Sequence, residues 1–125
     1  MRPNVVKEKS EAFAIAIIAL LKKQRPARIG TVLSNQLIRS GTSVGAMINE
    51  AEFAESRRDF KHKFQVAQKE INETLYWLRL MHQSGFIETT EYENLSSLGN
   101  EILYLITAII RKTIMNMKIE DSSKS

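Results

Sequence analysis

The sequence contains no cysteine and only two prolines among its 125 residues. The absence of cysteine excludes disulfide bonds, thiolate metal sites and a cysteine nucleophile, and it fits a protein of the reducing cytoplasm. The prolines stand at positions 3 and 26, where each can begin or end a helix without interrupting one. Long helices are therefore compatible with almost the whole chain.

Long apolar runs are also absent. The longest, residues 12–21, is about half of the roughly 20 residues that a membrane-spanning helix needs. The first ten residues carry charges of both signs and no cleavage pattern, so we expect no secretory signal and no membrane partner. The length predicts a single domain, residues 1–119, followed by a polar and disordered tail over residues 120–125.

Apolar residues recur with helical spacing in four segments. The first helix is expected from about Asn4 to Lys23, and the second from near Arg28, ahead of apolar residues at gaps of three, four and seven. The second segment carries Leu33, Leu37, Val44, Ile48 and Ala51 on this spacing.

The third and fourth segments also have end signals. Ser56 is a predicted N-cap, and Gly85 is placed to take the left-handed conformation that ends a helix. Thr90 and Glu93 form a predicted capping box for the last helix. Short loops between four long helices predict an all-α fold, an antiparallel up-down-up-down four-helix bundle.

The first and last helices carry more apolar surface than one bundle core can cover. The first is apolar on every side over residues 12–21. The last has a second apolar stripe beside its core stripe, made of Leu103, Ile106, Ile110, Ile114 and Met117. Since surplus apolar faces commonly meet other subunits, we expect a homo-oligomer.

Small residues line one side of the second helix. Gly41 and Gly45 are four residues apart, and Asn49 continues the line, so a neighbouring helix could approach closely. A phosphate-binding loop is disfavoured, because no lysine follows the glycines. An antiparallel register places Arg39 near Glu70 and Glu73, which predicts an interhelical ion pair with Ser40 or Thr42 as possible further members.

The sequence offers no recognisable catalytic or metal-binding set. Di-iron bundles need Glu-x-x-His in two helices, and none occurs here. His62 and His82 lie about 30 Å apart by helical rise, so they cannot share a metal ion. There is also no Gly-x-Ser-x-Gly elbow. We therefore expect no enzyme activity, no metal, no cofactor and no small-molecule substrate.

Positive charge is concentrated near two loops, and the net charge is +4. The candidate nucleic-acid-binding residues are Lys22, Lys23, Arg25 and Arg28 at one end of the bundle, with Arg57 and Arg58 at the other. Glutamates lie near both clusters, which weakens the field of a single subunit. Two functions stay open: a bundle that binds RNA or a nucleoprotein partner, and a protein-interaction scaffold without nucleic-acid affinity.

Residues 36–81, QLIRSGTSVGAMINEAEFAESRRDFKHKFQVAQKEINETLYWLRLM, resemble a bacterial four-helix-bundle family associated with intervening sequences in 23S ribosomal RNA genes. One departure is Met47, which occupies a place where the family pattern has asparagine. The matching positions are Gln36, Leu37, Arg39, Ser40, Thr42 to Ala46, Ile48, Glu50, Ala51, Ser56, Asp59, Phe60, Ala67, Lys69, Glu70, Glu73, Thr74, Tyr76, Trp77 and Leu78.

The resemblance implies an antiparallel four-helix bundle that assembles as a ring-like homopentamer. Relatives include the accessory variability protein of diversity-generating retroelements, which binds a reverse transcriptase and nucleic acid through a basic surface. That likeness implies RNA or a nucleoprotein as the partner, but it concerns the family and names no activity for this chain.

Overall fold

A computed structural model describes residues 3–23 and 31–124 of the chain. Within these ranges the chain forms four helices: α1 (Pro3–Lys23), α2 (Thr31–Ala51), α3 (Arg57–Gln83) and α4 (Thr89–Lys124). The contacts between helices place α2 beside α3, α3 beside α4, and α1 beside both α2 and α4. This arrangement is the four-helix bundle that the sequence predicts.

Side-chain contacts show that neighbouring helices run antiparallel. Lys9 near the start of α1 pairs with Glu101 of α4, whereas Lys23 at the end of α1 pairs with Glu91, closer to the start of α4. On the other side of the bundle, Lys63 contacts Glu50 and Glu70 contacts Arg39, again in opposite chain order. The predicted up-down-up-down order is confirmed.

The ends of α3 follow the local signals in the sequence. The Ser56 hydroxyl accepts a hydrogen bond from the Asp59 backbone N–H at 3.0 Å, which satisfies one of the free donors of the first turn. At the other end, Gly85 has a φ of +82°, the left-handed conformation that glycine adopts without steric cost. Helix α4 begins at Thr89, so Thr90 lies inside its first turn and is not the N-cap that the sequence predicted.

The core seam of α3 is the one that heptad spacing predicts. Its buried residues are Phe64, Ala67, Ile71, Thr74, Leu78 and Met81. They meet Phe13 and Ile17 of α1, Leu37 and Val44 of α2, and the inner side of α4 in one cluster. This burial provides the main favourable free energy of the fold.

The outer part of α4 differs from the prediction in two ways. The stripe expected to be surplus is largely used within the subunit: Ile106 and Ile110 are buried, and Leu103 and Ile114 pack against the core. The segment expected to be a disordered tail, residues 120–125, is helical as far as Lys124. Glu120, the first residue of that segment, pairs with Arg57 of α3. The contact with α3 gives the end of the helix a tertiary partner.

None of the helices in the described ranges is both long enough and apolar enough to cross a bilayer.

Candidate functional site

Arg39 lies on the side of α2 that faces α3, where it meets two carboxylates. Its Nη1 lies 3.1 Å from Glu70 Oε2, its Nη2 contacts Glu73, and its Nε donates to the Gln36 side chain at 3.3 Å. The hydrogen bond to Glu73 is the largest cause of the raised pKa of Arg39, with the charges of both glutamates adding to it. The interhelical ion pair that the sequence predicts is present.

Neither of the hydroxyl residues suggested as members joins this ion pair. The Ser40 hydroxyl donates to the Gln36 carbonyl at 2.9 Å, and the Thr42 hydroxyl donates to the Ile38 carbonyl at 2.6 Å. Both bonds stay within α2, because a hydroxyl can reach the carbonyl four residues earlier in the same helix. The Arg39 network therefore consists of Glu70, Glu73 and Gln36, and it is partly open to solvent.

Gly41 and Gly45 lie on a different side of α2 and contact α1. A Cβ added to Gly41 would overlap Cδ1 of Ile17, which is fully buried, and would lie 3.6 Å from Cγ2 of Thr74. A Cβ added to Gly45 would lie 3.3 Å from the Ser10 hydroxyl. The close helix approach expected here is present, and its main partner is α1.

Asn49 does not continue the packed line. It is exposed, so the prediction that it belongs to the interhelical packing and polar network is wrong. Met47 is half-buried and packs against the hydrophobic core. Met47, at the position where the family pattern has asparagine, therefore makes an apolar contact. Asn49 does not supply a polar contact in its place.

Gly99 of α4 is a close-packing position that was not predicted from the sequence. An added Cβ would lie 2.8 Å from Leu75 Cδ2 and 3.4 Å from the Phe13 ring. Gly99 therefore lets α4 approach both α1 and α3. The available signal was its place between Leu95 and Ile102 on the core stripe, a spacing of four and three residues.

The predicted basic residues are divided between free and paired side chains. Lys22 and Arg58 are exposed and form no ion pair with a described residue. Lys23 lies 3.7 Å from Glu91, and Arg57 is bonded to Glu120, so each has a carboxylate beside its charge. Arg25 and Arg28 lie outside the described residues.

Three exposed cations of α4 were not among the predicted site residues. Arg111, Lys112 and Lys118 lie in a stretch from Ile102 to Ile119 that contains no aspartate or glutamate. The lack of acids over five turns was the available signal. These cations are spread along a helix, whereas the predicted basic clusters lie near loops.

One apolar surface is left open on α1. We define the α1 outer face as Ala12, Ile15, Ile18 and Ala19, which are all exposed although none is polar. Ile15 has 66% of its surface accessible. The prediction of surplus apolar surface on α1 is confirmed at these positions, which point away from the core seam of Phe13 and Ile17.

The described residues contain no group of three histidine, aspartate or glutamate side chains placed to hold a metal ion. His82 instead stacks on Tyr92, with ring centroids 4.3 Å apart, and its Nε2 lies 3.2 Å from the Thr89 hydroxyl. These contacts join the end of α3 to the start of α4. The role of His82 in this structure is thus a contact between helices.

Comparison with known proteins agrees with the fold. A search of curated proteins gives no match. A crystal structure of a protein of unknown function from the S23 ribosomal protein family of Bacteroides thetaiotaomicron is similar to this chain, with a TM-score of 0.84 and 45% identity. The match covers 89% of this chain and 99% of that one. The model of the 23S rRNA-intervening sequence protein family matches residues 2–108, and the chain therefore belongs to that family.

Proposed function

We propose that this protein acts without catalysis, as a homo-oligomeric helical bundle that binds RNA or a nucleoprotein partner. The α1 outer face carries the proposal of self-association. Ala12, Ile15, Ile18 and Ala19 form an apolar strip with no charged residue inside it, and exposed strips of this kind are commonly covered by another subunit. The resemblance to ring-forming relatives favours a closed ring, and specifically a pentamer.

Binding of RNA is supported by charge. The chain has a formal net charge of +4, and Lys22 and Arg58 present cations to solvent without an ion pair among the described residues. In a ring each such cation is repeated once per subunit, so that the fields of the subunits add. This supports attraction of a polyanion to the assembled protein more than to a single chain.

A second function, a protein-interaction scaffold without nucleic-acid affinity, is favoured by the two loop ion pairs. Glu91 lies beside Lys23 and Glu120 lies beside Arg57, so two of the four candidate cations that the structure describes are already partnered within the subunit. The apolar α1 outer face would serve a scaffold equally well. The two functions differ in whether the assembled protein binds RNA with a dependence on salt.

Native mass spectrometry of protein purified at low salt without nuclease tests both parts. We expect one closed oligomer carrying RNA. Ile15→Glu places a charge on the α1 outer face and should shift the spectrum to monomers, since burying an unpaired carboxylate is costly. The matched control is Val32→Glu, an equally exposed apolar residue on the side of α2 that bears Arg39.

The outcomes separate the proposals. Wild-type protein that is monomeric, or Ile15→Glu and Val32→Glu variants that assemble alike, would contradict self-association through α1. An oligomer free of RNA that also fails to bind added RNA at low salt would leave the scaffold as the function.

A further inference from the structure

Helix α4 carries unpaired positive charge along a stretch that contains no acidic residue. Arg111, Lys112 and Lys118 are exposed, and none of them forms an ion pair with another described residue. Because no acidic residue occurs between Ile102 and Ile119, no carboxylate of α4 lies within about two turns of Arg111 or Lys112. By contrast, Lys23 and Arg57 near the loops both have glutamate partners.

The relative lengths of the helices explain why this surface is open. Lys9 of α1 contacts Glu101 of α4 at 2.8 Å, and α1 begins six residues before Lys9. In an antiparallel pair, α1 therefore covers α4 for only about two turns beyond Glu101. Helix α4 continues to Lys124, so much of its second half has no α1 residue beside it.

An aromatic ring stands at one end of the open surface. Tyr104 is 70% exposed, and it precedes Arg111 by seven residues and Met115 by eleven, spacings that share one helix face. We define the α4 groove by the residues that line this shallow depression: Tyr104, Thr107, Ala108, Arg111, Lys112 and Met115. Lys118 extends the positive charge beyond it, about 21 Å along the axis from Tyr104.

We infer that the α4 groove binds single-stranded RNA, with a base stacked on Tyr104 and the following phosphates paired with Arg111, Lys112 and Lys118. This inference rests on the proposed RNA-binding function and names its surface. Single-stranded nucleic acid offers both phosphates and exposed base faces, and proteins bind it with cations and aromatic rings set along one groove.

An acidic polypeptide is the competing ligand for this charge. It would pair with the three cations but would give the exposed ring of Tyr104 no role, because carboxylates do not stack. Double-stranded RNA would also leave the ring unused, since its bases are stacked inside the duplex. The position of Tyr104 on the same face as the cations is what favours a single strand.

Fluorescence anisotropy of the full chain with labelled single-stranded RNA of about 12 nucleotides tests the inference. The groove variant combines Arg111→Gln, Lys112→Gln and Lys118→Gln. The control variant removes the same charge from α3, with Lys61→Gln, Lys69→Gln and Arg79→Gln, three cations that form no ion pair with a described residue. Circular dichroism and native mass spectrometry of each variant establish that helix content and assembly are unchanged.

We expect the groove variant to bind RNA at least tenfold more weakly than wild-type protein. The plot of log affinity against log salt concentration should become less steep, by about 0.7 for each cation removed. The control variant should lose clearly less. If wild-type protein binds RNA and both variants lose equally, or the control loses more, the groove is the wrong surface while the proposed function stands. If wild-type protein does not bind RNA, the proposed RNA-binding function itself fails.

Substitutions of Tyr104 distinguish the ligands. Tyr104→Ala should weaken RNA binding about tenfold, and Tyr104→Phe should retain it, because phenylalanine keeps the stacking face. Polyglutamate of similar length should compete poorly. Equal binding of RNA by the alanine and wild-type proteins, or tight binding of polyglutamate, would overturn the assignment to single-stranded RNA.

Discussion

The two sides of α2 hold their neighbours in different ways. Towards α1, Gly41 and Gly45 leave so little room that a methyl group would meet Ile17 or Ser10. Towards α3, Arg39 reaches Glu70 and Glu73 with nearly half of its own side chain exposed. The first contact depends on the absence of atoms in a packed interior, and the second on charges that water can also solvate. We expect them to differ greatly in the free energy of unfolding that each controls.

The largest effect should come from filling the space at Gly41. Gly41→Val adds three carbon atoms, the first of which already overlaps Ile17 Cδ1, and overpacking of this kind costs about 2–3 kcal/mol. Urea denaturation at one fixed protein concentration measures the loss, because self-association makes stability depend on concentration. Ala46→Val adds a β-branched side chain at an exposed position of the same helix and should cost under about 1 kcal/mol. Equal losses in the two variants would contradict the close approach at Gly41.

A double-mutant cycle tests whether a side chain at position 41 competes with Ile17 for the same space. Gly41→Ala should destabilise the protein by about 1 kcal/mol or more, because the overlap with Ile17 Cδ1 exceeds the gain in helix propensity. Ile17→Val removes that atom, so Gly41→Ala should cost less stability in the Ile17→Val protein than in wild type. The expected coupling is at least about 0.5 kcal/mol in urea denaturation. Additive effects would mean that the two residues do not compete for the same space.

A substitution at Gly45 should change the stability less, because the cost of the contact with Ser10 nearly cancels the gain in helix propensity. An added Cβ would need the Ser10 hydroxyl, 3.3 Å away, to move by a few tenths of an ångström. Alanine gains roughly 1 kcal/mol in helix propensity over glycine. Gly45→Ala should therefore unfold within about 1 kcal/mol of wild type. A larger loss of unfolding free energy for Gly45→Ala than for Gly41→Ala would contradict the tighter packing inferred at Gly41.

The smallest effect is expected at the α3 side. Arg39→Gln removes an ion pair that is partly exposed to solvent, and ion pairs that water can reach contribute less than about 1 kcal/mol. Urea is the suitable denaturant, since guanidinium salts screen charges. Lys69→Gln, an exposed lysine without an ion pair to a described residue, serves as the control. A loss above about 2 kcal/mol specific to Arg39 would show that the ion pair matters as much as the glycine contacts.

The elements of the fold were predictable because their signals are local. The N-cap at Ser56 and the left-handed Gly85 act within one turn, and the apolar spacing of α3 repeats over its whole length. The start of α4 was predicted two residues late: an N-cap at Thr90 makes Glu91 the first helical residue, whereas the helix begins at Thr89. The helical end of α4 was missed because its contact with Arg57 joins residues far apart in the chain.

The candidate site was only partly predictable. The pairing of Arg39 with Glu70 and Glu73 followed from an antiparallel register between adjacent helices, which a short connection nearly determines. The helix that contacts Gly41 could not be predicted in the same way, because a helix in a bundle has two neighbours and residue spacing alone does not choose between them.

By itself, the sequence determined four helices, their antiparallel order and an apolar excess on α1, since these depend on periodicity and on residues near each other in the chain. Only the tertiary structure decided that the glycines face α1, that Lys23 and Arg57 have carboxylate partners, and that the cations of α4 remain open. Those features depend on distances between separate helices and on where one helix ends beside a longer one.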